Sequence, residues 1–260
     1  MLNPESGFIA TANNDTHINV PGYDPPLFFK RGPATGRYDR LAQVLSSGSA
    51  FTMADMQALQ HDAYSAPAAS DIPLFQGWNS ADSSVERARA TIAAWDAQHR
   101  RESQAAAIYR FVSRAMTEEA RGKAAAGERR RALLEAAIAT GLRDLAAELG
   151  DDPAQWRWGR INASQMPHAL VRAYDIPAVE RHGGAGFVAA VGATYREIID
   201  MGDLDGSLAT NVPGQSGQPY SPFYQNLVEN FGRAEYFPLA YSREAVEGVA
   251  RYRLTLVPRR

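Results

Sequence analysis

HGGAGFVAAVGATYREIIDMG, His182 to Gly202, is where the sequence changes its period. Before it, apolar residues recur at spacings of three and four, as on the buried face of an amphipathic helix. Val85, Ala88, Ile92 and Trp95 form one stripe, Ile108, Phe111, Val112 and Ala115 a second, and Leu134, Ile138, Leu142, Leu145 and Leu149 a third that stops at Gly150. From His182 onward, short β-prone runs are punctuated by glycine. That spacing predicts a hairpin in which the partner segment is SLATNVPGQSG, residues 207–217, and RYRLTLVP, residues 251–258, alternates as a last strand. An opening strand, then helices, then strands that need a sheet to join, with no strand–helix repeat, read as α+β.

Upstream, Tyr38, Leu41 and Leu45 predict a short helix starting at Arg37. Thr52 followed by Asp55 has the form of a capping box at the head of TMADMQALQHDAYS, where Met53, Met56, Leu59 and Ala63 would share a face. The loop THINVPGYDPP, residues 16–26, carries too much proline and glycine for a helix or a central strand. Ahead of it, GFIATANND, residues 7–15, runs β-prone residues into two adjacent asparagines. Asparagine tolerates left-handed backbone, so the pair reads as a turn ending a strand. The second reading, behind the turn, is an amide aimed into a site, because a carboxamide N–H donates to an oxygen that becomes negative during a reaction without itself titrating.

Composition narrows the chemistry. The 260 residues are 45% apolar and can bury a real core. Lysine plus arginine number 27 against 29 aspartate plus glutamate, so no global field favours nucleic acid or an anionic membrane. The basic run ERRR, residues 128–131, belongs on a solvated helix face. There is no cysteine, which removes disulfides, thiolate metal sites and cysteine nucleophiles. Residues 1–14 lack a basic start followed by an apolar run, so no targeting signal is read, and no stretch reaches the roughly 20 apolar residues of a membrane span.

Other motif candidates are weak. The histidines His17, His61, His99, His168 and His182 have no metal-ligand spacing. In GQSG the second glycine directly follows Ser216, one residue too early for a nucleophile elbow, so the segment reads as a tight turn. HGGAG lacks the spacing of a dinucleotide loop, no phosphate loop occurs, and no organic cofactor is expected. Glu118 and Glu119 read as solvent-facing.

NPESGFIATANN, residues 3–14, resembles the strand and asparagine motif in the β chain of penicillin acylases (penicillin amidases), which are N-terminal nucleophile hydrolases. Six further blocks are similar to that family in the same order: RYDRL (37–41), LQHDAYS (59–65), AAWDAQHRRESQAAAIY (93–109), WRWGRI (156–161), GATYREIIDMGD (192–203) and GQSGQPYSPFY (214–224). The resemblance implies part of an αββα sandwich with a helical middle segment, and an activity that removes acyl groups from N-acyl compounds. Residues 1–45 would hold the strand, oxyanion loop and first helix. Residues 46–152 would be the helical segment, and 153–260 the late strands with a C-terminal helix or strand.

By the same resemblance, Asn13 matches the oxyanion donor, Arg37 an arginine near the site, and Asp24 a ligand of structural calcium. Asp24 could equally hydrogen-bond its own loop. In the family, the nucleophile is a serine or related residue exposed by processing at the start of the β chain, and its own α-amine is the base. Here residues 1–3 are Met-Leu-Asn, and Asn162 stands where members carry histidine in a WGxxH pattern. The expectation is therefore the C-terminal portion of a penicillin acylase-like β chain. Its partners would be an N-acyl amide substrate and the missing α chain with the N-terminal part of the β chain, and the complete enzyme would be periplasmic. The alternative is a noncatalytic or decayed module that keeps the fold and binds an acylated ligand or a partner chain. β-Lactam, acyl-homoserine lactone and peptide-like substrates are all compatible with the resemblance.

Overall fold

The computed structural model describes residues 3–14, 36–48, 50–122, 126–190 and 192–258. It is α+β. The helices are α1 (Gly36–Leu45), α2 (Met53–Gln60), α3 (Ala66–Asp71), α4 (Ser83–Ala93), α5 (Gln104–Ala115), α6 (Glu118–Arg121), α7 (Gly127–Leu149), α8 (Trp158–Ile161), α9 (Val228–Gly232) and α10 (Arg243–Val249). The strands are β1 (Ala163–Met166), β2 (Ile176–Glu180), β3 (Arg196–Ile198), β4 (Leu208–Thr210) and β5 (Phe237–Pro238). The chain divides into two compact units, one of residues 1–51 with 58–192 and one of residues 52–57 with 193–260.

The first unit is built on the three helical stripes. Val85, Ala88 and Ile92 of α4, Ile108, Phe111 and Val112 of α5, and Leu134, Ile138 and Leu145 of α7 are all buried in one cluster. Polar side chains fix where those helices begin. Asp82 accepts from the N–H groups of Ser84 and Val85 at α4, Ser103 from that of Ala106 at α5, and Ser65 from that of Ala68 at α3. Each bond satisfies a donor that the first helical turn leaves unpaired. Helix α7 stops where expected, with Gly150 at φ 90°. Its Gly141 lies against α5, and a Cβ there would sit 2.6 Å from the backbone nitrogen of Val112. Only glycine permits that approach.

The unit also contains an antiparallel pair, β1 with β2, that the period change at His182 does not announce. HGGAG itself forms turns, not strand. Gly183 has φ 69°, and a Cβ on it would meet the carbonyl oxygen of Ala189 at 2.2 Å, which accounts for the glycine without a phosphate. This turn is tied to the helices: the Gly183 N–H donates to the His99 carbonyl, and the Trp158 indole N–H donates to the Gly183 carbonyl at 2.8 Å. His99 is buried among Trp95, Trp158 and Phe187, with ring centroids 4.6–4.9 Å away. Burial lowers its pKa to about 4.

The second unit carries the anticipated hairpin. Arg196, Glu197 and Ile198 of β3 face Thr210, Ala209 and Leu208 of β4, and β5 completes an antiparallel sheet of order β3-β4-β5. The capping box also forms: Thr52 Oγ1 accepts from the Asp55 N–H at 3.2 Å, and Asp55 Oδ2 accepts from the Thr52 N–H at 2.8 Å. Ser216 Oγ accepts from the Gln218 N–H, so the GQSG segment is a local turn.

Three expectations are corrected. Helix α2 ends at Gln60, short of the predicted Ser65, because Ser65 instead caps α3. Residues 7–12 and residues 251–258 are not strands. Alternation makes a segment competent for a sheet, but a strand exists only through ladder bonds to a neighbour, and among the described residues neither segment has one. Tyr252, Leu254 and Leu256 consequently stand exposed.

Two outcomes follow from this packing. Gly141→Ala is expected to lower stability by about 1–3 kcal/mol, because backbone must move and helix propensity returns less than 1 kcal/mol. Gly248→Ala in α10, where nothing lies within 4 Å of the new Cβ, is expected to be neutral or stabilising. Urea midpoints compare the two, and equal behaviour would refute the helix-contact explanation. The second outcome concerns pH. His99 binds a proton more readily unfolded, near 6.5, than folded, near 4. Stability should fall as pH drops from 6.5 to 4, by up to roughly 3 kcal/mol, and level off below. The His182 pKa is also depressed by burial and acts in the same sense, so the comparison is with His99→Phe, which should lose most of the slope. An unchanged slope would remove His99 as its origin.

Candidate active site

The site begins with three residues in sequence. The Asn14 carboxamide oxygen accepts from the Ala12 N–H at 2.8 Å, folding the side chain back over the turn. Asn13, between them, takes φ 63°, the left-handed region that asparagine tolerates better than other non-glycine residues. Arg37, in the first turn of α1, reaches this turn from 24 residues away. Its Nη2 donates to the Ala12 carbonyl at 2.7 Å and to Asn13 Oδ1 at 2.8 Å.

That second contact settles which way the Asn13 amide faces. A guanidinium has no acceptor, so the atom it touches must be the carbonyl oxygen. The NH₂ end is then the group that can donate to a substrate. A cation on the amide oxygen also polarises the amide and strengthens its N–H as a donor. Asn13 and Arg37, read separately from the sequence, are thus in direct contact. Asp24, the calcium-ligand candidate, lies outside the described residues, and among those described no three or more His, Asp or Glu side chains converge as a metal site.

One turn further along α1, Arg40 does something the sequence reading missed. Its Nε and Nη2 both bond the Asp62 carboxylate, the closest contact being 2.7 Å, and its guanidinium lies 4.4 Å from the centre of the Tyr64 ring. Asp62 also accepts from the Tyr64 N–H. The signal was present, since Arg40 is the second arginine of RYDRL and Asp62 sits inside LQHDAYS. Two blocks noted separately are the two halves of one ion pair.

A cavity of about 420 Å³ lies beside this pair, bounded by Asp39, Arg40 and Gln43 of α1, by Tyr64 to Pro67, and by Ala185 to Phe187. Its size falls in the range of small-molecule sites. Other motif residues prove to be architectural. Asp96 Oδ1 accepts from the Gln98 N–H, Ser103 and Ser65 cap helices, and Asn162 Nδ2 donates to the carbonyls of Arg181 and His182. Deeper in the unit, Tyr109 donates to Asp71 at 2.9 Å, and burial with that carboxylate pushes its phenol pKa up.

Against known proteins, residues 1–248 match the family model described as penicillin amidase. Among curated relatives, an acyl-homoserine lactone acylase QuiP of Pseudomonas syringae pv. tomato is 27% identical over 130 residues, covering 42% of this chain and 16% of that protein. A QuiP of Pseudomonas fluorescens Pf-5 is 27% identical over 139 residues, covering 49% and 17%. The matched region thus spans about a sixth of those relatives' length. Among solved structures, a thermostable penicillin G acylase from Alcaligenes faecalis superimposes with a TM-score of 0.53 at 14% identity, covering 99% of this chain and 58% of that one, a likeness of fold alone. Among the described residues no helix is long and apolar enough to cross a membrane. With the family model matched over 248 of its 260 residues, the chain belongs to the penicillin amidase family.

Proposed function

We propose that these residues supply the oxyanion-stabilising part of an amide hydrolase that removes acyl groups from N-acyl compounds, with acyl-homoserine lactones as the first substrates to test. The observation that carries this reading is the Arg37 to Asn13 contact, which leaves a polarised N–H₂ as the donor end. The names of the relatives support the substrate class.

In such a reaction, a nucleophilic hydroxyl adds to the acyl carbon and the carbonyl electrons move onto oxygen. The amide of Asn13 donates to that oxygen as its charge develops, and Arg37 holds the amide so that little reorganisation is needed. Arg37 stays charged throughout and touches Asn13 rather than the substrate, so it is a positioning residue. The nucleophile and its amine belong, on this reading, to a part of the enzyme outside these 260 residues, and the complete enzyme works outside the cytoplasm.

The test uses the complete, processed enzyme. Asn13→Ala should lower kcat about 10²- to 10³-fold with folding and processing intact, the effect of losing one oxyanion donor. Asn14→Ala should act through stability, by about 1 kcal/mol, through loss of the turn bond that its carboxamide oxygen accepts from the Ala12 N–H. Arg37→Ala should lower kcat with little change in KM, and Arg37→Lys should restore part of it. Equal, small catalytic effects at positions 13 and 14, measured on active-site-titrated protein beside thermal melts, would overturn the assignment. Residues 1–260 by themselves are expected to leave phenylacetyl and long-chain acyl amides uncleaved. Turnover that survives purification and vanishes in Ser216→Ala would replace this reading with an internal serine mechanism.

A further inference from the structure

A second cavity in the first unit, of about 650 Å³, is bounded by side chains of α3, α5, α6 and α8 and by the turn at Gly184 to Phe187. One wall is aromatic: His99 meets Trp158 edge-on with centroids 4.6 Å apart and meets Phe187 at 4.7 Å. The depressed pKa keeps His99 neutral near pH 7.

The charges on the other wall do not cancel. Asp71 Oδ2 accepts from the Tyr109 hydroxyl and from Arg121 Nε, and the remaining Arg121 nitrogens donate to the carbonyls of Met116 and Ser113. Asp71 and Arg121 therefore neutralise each other, and three of the five Arg121 N–H donors are engaged within the protein. Arg110, whose residue is exposed to solvent, lines the same cavity, and a second cation, Arg114, follows it one turn along α5. Among the described residues no carboxylate pairs with Arg110. A cavity with an aromatic wall and one uncompensated guanidinium selects for an anion carrying an apolar body: the charge is attracted, and the body removes apolar surface from water.

We propose that this cavity is a binding site for a small organic carboxylate, with the carboxylate on Arg110 and a ring-sized or acyl body against the wall formed by His99, Trp158 and Phe187. The site is separate from Asn13 and does not depend on the reading of that residue as a catalytic donor.

The experiment titrates residues 1–260 with 3-phenylpropanoate, and separately with 3-phenylpropanamide, which has the same body without the charge. Calorimetry and tryptophan fluorescence report binding. The carboxylate should bind saturably with one site, and the amide at least about tenfold more weakly, as expected for loss of a charge-assisted contact. Arg110→Gln should weaken the carboxylate by a similar factor and bring it level with the amide. Ala185→Trp, which fills the cavity from its exposed turn, should weaken both ligands and keeps the test alive if the arginine variant folds poorly. Asn13→Ala should leave binding unchanged, so a failure here is distinct from a failure of the catalytic assignment. Absence of saturable carboxylate binding, equal affinity for acid and amide, or affinity untouched by Arg110→Gln and Ala185→Trp would overturn the proposal.

Discussion

The ion pair between Arg40 and Asp62 ties α1 to the segment beside the candidate active site with a defined direction. No residue of α1 is buried, so its position is not set by a hydrophobic stripe seated in a core. Two guanidinium nitrogens on one carboxylate, with the ring of Tyr64 beneath, specify a direction as well as a distance. Asp62 is mostly shielded and Arg40 partly so, with 11% and 22% of their side chains exposed, which makes the pair harder to screen than one fully in solvent. Arg37 lies one helical turn before Arg40, so fixing the rotation of α1 about its axis also aims Arg37 at Asn13. The contact that orients the amide is thus one step removed from the pair that orients the helix.

A second consequence concerns what the family blocks are made of. Several polar residues in them hold the backbone, whether or not they also touch a cavity: Ser65 and Ser103 cap helices, and Asp96 closes a turn. Helix starts leave donors unpaired, and a short side chain at the boundary is the local means of satisfying them. Such residues place α3 and α5, which in turn carry Asp71, Tyr109 and Arg110. The blocks therefore record architecture and chemistry together, and only the contacts separate the two. Asn162, which departs from the family pattern, illustrates this. Its amide joins α8 to the backbone of Arg181 and His182, a bridging role that a carboxamide fills with its donors.

Aromatic packing links the helical core to the glycine turn. His99, Trp158 and Phe187 come from three separate stretches, and Gly183 joins the first two, its N–H donating to the His99 carbonyl and its carbonyl accepting from the Trp158 indole. Gly183 cannot carry a side chain without striking the Ala189 carbonyl, so the turn is defined by steric exclusion as well as by bonds. This is why Gly183, in a glycine-rich segment that lacks the spacing of a dinucleotide loop, is explained by packing.

The sequence by itself determined the elements whose information is local. Helical periodicity named the buried stripes of α4, α5 and α7, glycine set the end of α7, the Thr52–Asp55 spacing named the capping box, and glycine-punctuated β-prone runs found the β3–β4 hairpin. It also singled out Asn13 and Arg37, through family resemblance and not through any local rule. Tertiary structure alone decided what depends on distant partners. Residues 7–12 and 251–258 have strand-like patterns, yet strand formation needs a neighbouring ladder that the pattern cannot specify. The pairing of Arg40 with Asp62 joins residues 22 apart, and the face of the Asn13 amide depends on a cation 24 residues away. Periodicity reports which side of an element is apolar; it carries no information about which charged group will meet which, because that follows from the path of the chain through space.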